Sequence, residues 1–162
     1  MLQILYVTKR FPKFVKPFGY ILMTRSIKLT TTLDAPIAAV WEALTNKTAM
    51  SEWLMPCDIE PVVGHQFQFR TQSYPGFDGI VHCEILEVVE KELLSFKWSG
   101  GTLKNTIVTF QLKAEGDQTI LDFEHRGFEG LLNRIIIRNL LSNGWKSQIL
   151  VKRLPQYLAK NE

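Results

Sequence analysis

Alternating hydrophobic and polar residues, the period of two that is typical of half-buried β-strands, recur along the chain. The first such run is SIKLTTTLD, over residues 26–34, which is rich in β-branched residues. Five further runs follow, each separated from the next by turn residues or by a short loop: HQFQFR, GIVHCEILEVV, LLSFKW, NTIVTFQLKA and TILDFEHRGF. Successive strands joined by short turns predict an antiparallel sheet with one apolar and one polar face.

Between the first and second strands the apolar period changes to that of a helix. The residues spaced as one helix face are Ile37, Val40, Trp41 and Leu44. Asp34 is expected to cap this helix, with Pro36 in its first turn. Asn46 is expected to cap a second short helix, in which Trp53 lies on the apolar face. The two tryptophans are therefore predicted to point into the same interior.

The last 32 residues have helical spacing again and are predicted to cover the apolar face of the sheet. We expect a break at Asn143 and Gly144, and a kink or restart at Pro155, because proline lacks an amide donor and crowds the preceding turn. The segment LLNRIIIRNLL at 131–141 is interpreted as an ordinary buried helix. A mobile lid, a dimer face and a surface for anionic lipid are the alternatives. The predicted fold class is α+β.

Charge and length bound the partners and the domain count. The 162 residues suffice for one domain. Residues 1–25 hold five basic residues and no acidic one, so the remainder carries 14 basic against 16 acidic residues. We therefore interpret residues 1–24 as an irregular N-terminal extension, with Met23 as an alternative start, and residues 25–162 as the folded domain. A folded body without excess positive charge argues against nucleic-acid binding.

The cysteines and histidines suggest no reactive centre. Cys57 and Cys83 form no CxxC pair, which favours a reduced, cytoplasmic protein. His65, His82 and His125 show no metal-ligand spacing, so we expect neither metal nor cofactor. No apolar run approaches the roughly 20 residues of a membrane-spanning helix, and no stable membrane insertion is expected.

The stretch TTTLDAPIAAVWEALTNKTAMSEWL resembles the opening of the START-like (SRPBCC, birch-pollen-allergen-like) superfamily. It is most similar to the branch of activator of heat-shock protein 90 ATPase homologues, in which a strand precedes an "aPxexVWxalT" helix. The later segments VVGHQFQFR, GIVHCEILEVVEKELLSFKW and TIVTFQLKAEGDQTILDFEHRGF resemble that branch in the same order. The resemblance covers about residues 26–158.

The resemblance implies a helix-grip fold: a curved antiparallel sheet of about six to seven strands wrapped around a long C-terminal helix, with two short helices after strand 1. It also implies an internal apolar cavity, with Trp41 anchoring the first helix and Trp53 near the cavity mouth. The residues expected to contact a ligand there are Trp53, Phe67, Phe69, Tyr74, Phe96, Trp98, Phe110, Phe123, His125, Trp145 and Ile149. Of these Tyr74 and His125, together with Gln111, are candidates to orient the ligand.

Three functions follow from the resemblance and the inward aromatic residues. The first is a carrier or sensor that binds a hydrophobic small molecule, such as a lipid, polyketide or flavonoid-like compound. The second is a stress-related interaction protein that regulates a chaperone ATPase. The third is a small cyclase- or hydrolase-like enzyme, with His125 or His65 as acid or base. Either a monomer or a homodimer is compatible with the sequence.

Overall fold

The computed structural model describes residues 26–161, so the predicted N-terminal extension lies outside the described residues. The strands are β1 (Ser26–Leu33), β2 (Gln66–Arg70), β3 (Ile80–Val89), β4 (Leu93–Gly100), β5 (Leu103–Glu115) and β6 (Gln118–Arg126). Helices α1 (Ile37–Thr45) and α2 (Lys47–Trp53) follow β1. All six strands and both short helices coincide with the predicted runs, and the predicted α+β helix-grip fold is confirmed.

The six strands form one antiparallel sheet in the order β1-β6-β5-β4-β3-β2. The last five strands are a meander, and β1 closes on β6 with the register Ser26 opposite Arg126 through Leu33 opposite Thr119. The register shifts between Ile85 and Glu87, where β3 pairs with β4. A second shift lies near Gly100, where β4 meets β5. Such bulges bend the strands that carry them, which contributes to the curvature of the sheet.

The two short helices are joined at a capped corner. The Asn46 side chain accepts hydrogen bonds from the amides of Thr48 and Ala49, as predicted for an N-cap. The predicted cap on α1 is wrong. Pro36 itself occupies the N-cap position in an extended conformation, and the side chain of Asp34, two residues earlier, instead accepts a hydrogen bond from Gln118.

The C-terminal residues 131–160 form one continuous helical segment. It contains α3 (Arg138–Asn143) and α4 (Leu154–Lys160), each preceded by a π-helical stretch, Asn133–Ile137 and Gly144–Arg153. The predicted break at Asn143 and Gly144 is wrong, because Gly144 has ordinary right-handed helical dihedrals. The helical segment also continues through Pro155. The Leu154 amide bonds to the carbonyl of Ile149, and this wider turn absorbs the proline that would crowd an α-helix.

The interior is built from the inward residues of the sheet and the buried side chains of the helices. Leu94, Phe96 and Trp98 of β4 are buried, as the alternation predicts. The helical segment contributes Trp145, Leu150, Leu154 and Leu158 to the same core. Among the described residues every buried side-chain nitrogen and oxygen has a hydrogen-bond partner. The described core therefore carries no unpaired side-chain polar group that would destabilise it.

The two tryptophans of the helical corner have different roles. Trp53 is fully buried, and its indole Nε1 donates a 2.8 Å hydrogen bond to the carbonyl oxygen of Ala43 near the end of α1. Trp41 is half-buried and packs against the edge of the core. Trp53 thus fixes the angle between α1 and α2, in addition to filling the interior.

We expect Trp53→Phe to destabilise the protein more than Trp41→Phe. The first substitution leaves a small cavity and removes the hydrogen bond to Ala43, which together cost about 2 kcal/mol or more. The second changes a half-buried side chain and should cost less than about 1 kcal/mol. Urea unfolding of both variants measures the difference. Equal losses would show that the indole hydrogen bond contributes nothing at this corner.

Candidate functional site: an apolar cavity beneath the C-terminal helix

An open cavity of about 460 Å³ lies between one end of the sheet and the C-terminal helical segment. The sheet supplies Val81, Trp98 and Leu103, and the helical segment supplies side chains from Ile137 to Ile149. The loop before β3 forms a third wall. The lining residues are Met55, Thr71, Tyr74, Pro75, Gly76, Phe77, Val81, Trp98, Gly100, Gly101, Thr102, Leu103, Ile137, Leu140, Leu141, Gly144, Trp145 and Ile149.

The loop wall is a small structured flap, residues 71–79. Its tip is closed by two backbone hydrogen bonds between Tyr74 and Phe77, whose rings lie 5.1 Å apart. Its base is closed by a bond from the Thr71 amide to the carbonyl of Gly79. Glycine is required at 79, because φ is +84° and a Cβ would lie 2.5 Å from the Thr71 oxygen. The flap therefore has a defined shape and presents Phe77 towards the sheet.

The β4–β5 turn allows the flap to approach closely. A Cβ at Gly100 would lie 3.3 Å from the Phe77 ring and 3.3 Å from the Val81 side chain, tighter than most real contacts. Gly101 has a φ of +56° and also faces Phe77. Two glycines in this turn thus leave room for an aromatic ring between the turn and the flap.

The chemistry of the wall is apolar and aromatic. None of the described residues that line the cavity carries a charge, and the side-chain hydroxyls among them belong to Thr71, Thr102 and Tyr74. Tyr74 is 59% exposed and stands at the mouth. The cavity suits a ligand whose buried part is uncharged, because a charge there would lose its hydration without gaining a partner.

Four of the eleven predicted ligand-contacting residues lie on the cavity wall: Tyr74, Trp98, Trp145 and Ile149. The other seven are placed in the protein core, away from the described lining: Trp53, Phe67, Phe69, Phe96, Phe110, Phe123 and His125. Gln111 lies outside the described lining as well. Trp53, expected near the mouth, is instead bonded to α1. Contact of any of them with a ligand remains a prediction.

The core aromatic residues support the cavity wall from behind. Trp145 reaches down from the helical segment onto Phe123, with the ring centres 4.6 Å apart, and onto Phe110 at 6.2 Å. It also meets Trp98 edge-to-face at 5.8 Å. Aromatic pairs at these distances contribute beyond their buried area. Trp98 and Trp145 therefore belong both to the core and to the cavity wall.

A buried histidine is placed directly behind those two tryptophans. The Thr106 hydroxyl donates to the carbonyl of Trp98 at 2.8 Å, so it must accept from Nε2–H of His125, 2.8 Å away. Nδ1 of His125 then accepts from the Trp145 indole Nε1–H at 3.3 Å. These three hydrogen bonds together require the neutral tautomer of His125 that carries its proton on Nε2. Burial also lowers the pKa of His125, from 6.5 to about 3, by penalising the charged form.

This arrangement bears on the enzyme hypothesis. Both ring nitrogens of His125 are used by Thr106 and Trp145, so neither is free to exchange a proton with a substrate. His65 contacts the carbonyl of Asp58 outside the described lining of the cavity. Burial raises the pKa of the Cys83 thiol and of the Cys57 thiol, which disfavours a nucleophilic thiolate at either position. Within residues 26–161 no metal-binding cluster is found.

Other depressions on the surface have a different character. One of about 490 Å³ lies on the opposite, outer face of the sheet and is lined by polar and charged groups such as Arg70, His82 and Lys97. Lys97 there is already paired with Glu84 at 2.9 Å. These side chains are the solvent-facing partners of the core residues. The apolar cavity remains the stronger candidate for a small hydrophobic ligand.

Sequence reasoning missed much of the cavity wall. Phe77, Gly100, Gly101, Leu140 and Leu141 lie in segments that the pattern assigned to turns or to a buried helix. The two consecutive glycines in SGGTLKN were the available signal, since adjacent glycines often mark a close approach of other groups. Nothing in the alternation of the strands indicates that the flap packs there.

Comparison with known proteins gives the family. The family model described as "Activator of Hsp90 ATPase homolog 1-like protein" matches residues 34–159. The chain belongs to this family. It is therefore a member of the START-like superfamily, in the branch that the opening motif indicated. A comparison with curated proteins found no match.

Solved structures agree with this family assignment. Protein MLL2253 from Mesorhizobium loti is 28% identical, with a TM-score of 0.73 over 85% of this chain and 99% of that one. DynU16, from the dynemicin biosynthetic locus, is 21% identical, with a TM-score of 0.68 over 85% of this chain and 48% of that one. The Aha1 dimer from Colwellia psychrerythraea is 18% identical, with a TM-score of 0.64 over 77% of this chain and 90% of that one.

Within residues 26–161, every helix is too short or too polar to cross a bilayer.

The buried histidine predicts how stability depends on pH. Because folding lowers its pKa, the unfolded chain binds a proton that the folded protein excludes. The stability that the protein gains by keeping His125 neutral is therefore complete above about pH 6.5. It is lost as the pH falls towards 3, by at most about 1.4 kcal/mol of unfolding free energy per pH unit. In the wild type, the unfolding free energy should fall as the pH is lowered from about 6 to about 5. We expect this fall to be smaller in His125→Gln, by an amount that approaches about 1.4 kcal/mol per pH unit, because the variant lacks the group that is protonated on unfolding. Denaturant titrations at several pH values measure it.

The matched control is His82→Gln, which changes an exposed histidine on the outer face of the sheet. This variant should keep the wild-type slope. If His125→Gln and the wild type lose stability in parallel as the pH falls, then protonation of His125 is not coupled to unfolding.

Proposed function

We propose that the protein binds an uncharged hydrophobic small molecule in the cavity beneath the C-terminal helix, as a carrier or sensor that resides in the cytoplasm. The observation that carries this proposal is the apolar cavity of about 460 Å³ with no charged residue in its described lining. Its volume falls within the range of about 300–1,000 Å³ that is usual for ligand sites.

The energetics of the cavity also favour a ligand. A closed, empty apolar void of this size would cost on the order of 10 kcal/mol, which rivals the stability of a whole domain. This cavity is open, so water enters it and avoids that cost. Water against Trp98, Leu141 and Ile149 is nevertheless poorly hydrogen-bonded, and its replacement by apolar groups releases free energy.

The wall favours flat, ring-containing molecules over flexible chains. Trp98, Trp145 and Phe77 present aromatic surface, and the threonine hydroxyls offer a few directional contacts. Of the three ligand classes proposed, aromatic polyketides and flavonoids fit this wall better than lipids with charged head groups, which would have to stay outside the cavity. DynU16, from the dynemicin biosynthetic locus, is similar to this chain in its fold alone. Its origin agrees with a ligand of this class but does not show one.

Tryptophan fluorescence gives the direct test. Trp98 and Trp145 line the cavity, so a bound flavonoid such as naringenin should quench the emission saturably. The neutral dye Nile red serves as an independent probe, since its emission rises in apolar sites. Absence of a saturable change with any neutral aromatic compound would overturn the proposal.

A cavity-filling variant sharpens the test. Gly144 lies in the cavity wall within the helical segment, and a Cβ there would meet open space. Gly144→Leu should therefore reduce probe affinity at least about tenfold by occupying the cavity. It should not destabilise the fold, because replacing glycine within a helix stabilises by about 0.5–1 kcal/mol. Binding titrations and thermal unfolding on the same preparation measure both effects.

Gln148→Leu provides the control, since this residue is exposed on the same helical segment and outside the described lining. It adds a leucine without entering the cavity, and we expect affinity close to wild type. Equal affinity of the wild type and Gly144→Leu would place the binding elsewhere.

Regulation of a chaperone ATPase is the second candidate, because the matching family model is described by that activity. An assay of Hsp90 ATPase with and without the protein separates the two functions. A carrier predicts an unchanged rate. A dose-dependent stimulation that Gly144→Leu retains would favour the chaperone role and would show that it does not need the cavity.

A further inference from the structure

An unusual apolar surface covers the first part of the C-terminal helical segment. Five of its residues form one stripe and are exposed to solvent, against the expectation of an ordinary buried helix: Leu131 (73%), Leu132 (53%), Ile135 (41%), Ile136 (57%) and Leu140 (61%). We call this set the exposed apolar stripe. Contiguous exposed aliphatic side chains of this kind mark an interaction surface.

The stripe is continuous with the mouth of the cavity. Leu140 belongs to both, and the exposed Tyr74 of the flap stands at the same mouth. A partner that covers the stripe would therefore also cover the entrance to the cavity.

The charge of this helical segment restricts the partner. Residues 131–153 contain five basic residues and no acidic one. Lys146, Lys152 and Arg153 are exposed, and Arg138 is bound to the carbonyl of Ser26. A second copy of this chain would present the same segment, because a twofold interface repeats one surface on both subunits. That segment contains no acidic group to pair with its basic residues, whereas an anionic surface supplies such groups.

We propose that the exposed apolar stripe docks the protein on anionic lipid membranes. Leucine and isoleucine beside a cationic helical segment form the combination that lies in a bilayer interface, with aliphatic groups among the acyl chains and basic groups near the phosphates. The helical segment docks on the surface without crossing the membrane, in line with its many charged residues. Docking of this kind is a separate property from ligand binding and does not depend on it.

Sedimentation with lipid vesicles tests the proposal on the full chain. We expect binding to phosphatidylcholine vesicles that contain phosphatidylserine, little binding to phosphatidylcholine alone, and a loss of binding as salt is raised. Ile135→Ser with Ile136→Ser should weaken binding about tenfold or more, since both lost side chains would have entered the interface. The pair Leu131→Ser with Leu140→Ser should act in the same direction.

The matched control replaces two other exposed aliphatic residues, Val62→Ser with Val63→Ser, in the loop before β2. This variant should bind like the wild type. Each isoleucine and leucine variant should stay folded and unfold cooperatively, with at most a small fall in its midpoint, because the changed side chains are about 40–70% exposed.

Three outcomes would overturn the proposal. The first is absence of wild-type binding to anionic vesicles at low salt. The second is equal binding by the wild type and both stripe variants, which would assign the binding to another part of the chain, such as the basic residues 1–25. The third is a dimer in light scattering that the stripe variants dissociate, which would identify a second copy as the occupant of the stripe.

Discussion

The fold depends on one constraint: a sheet with a single apolar face must be covered, and one helical segment provides the cover. Trp145 is the main contact. It lies against Phe123 and Phe110 and donates a hydrogen bond to the buried His125. That histidine is bonded in turn to Thr106, whose hydroxyl reaches the backbone of Trp98. Trp145 therefore takes part in both aromatic packing and a series of hydrogen bonds without an unpaired group. Together these contacts fix the distance and the rotation of the helical segment relative to the sheet.

The cavity is a consequence of how the cover is held. The later part of the segment is seated firmly, since Leu150, Leu154 and Leu158 are buried and α4 contacts α1 and α2. The earlier part, before Trp145, is attached by hydrogen bonds from Arg138 to the first residue of β1 and between Asn133 and Thr102 of the β4–β5 turn. Many of its apolar side chains are exposed or line the cavity. The π-helical turns on either side of α3 change the rotation of the segment along its length. The later part of the segment packs closely on the sheet and the earlier part lies further from it, so an open space remains between the earlier part and the sheet.

The same geometry determines the chemical character of the cavity wall. His125, behind the cavity wall, is neutral with both nitrogens bonded, and burial opposes ionisation of the Cys83 thiol in the core. What remains on the wall is aromatic and aliphatic surface with a few hydroxyl groups. A wall of this composition is suited to a ligand that is selected by its shape and apolar area. The exposed apolar stripe beside the mouth extends this surface outward, so the interior and one exterior face share one chemical character.

The sequence alone determined the strands, the helical corner, the inward face of each strand and the family, because these follow from local periodicity, capping residues and an ordered set of motifs. Phe67, Phe96, Phe110 and Phe123 were correctly assigned to the interior, yet local pattern cannot distinguish a core position from a cavity wall. That distinction depends on which elements meet across the fold. The approach of Phe77 to Gly100, and the passage of the helix through Gly144 and Pro155, are set by contacts between residues distant in sequence. Only the tertiary structure decided where the protein fills its interior and where it leaves space.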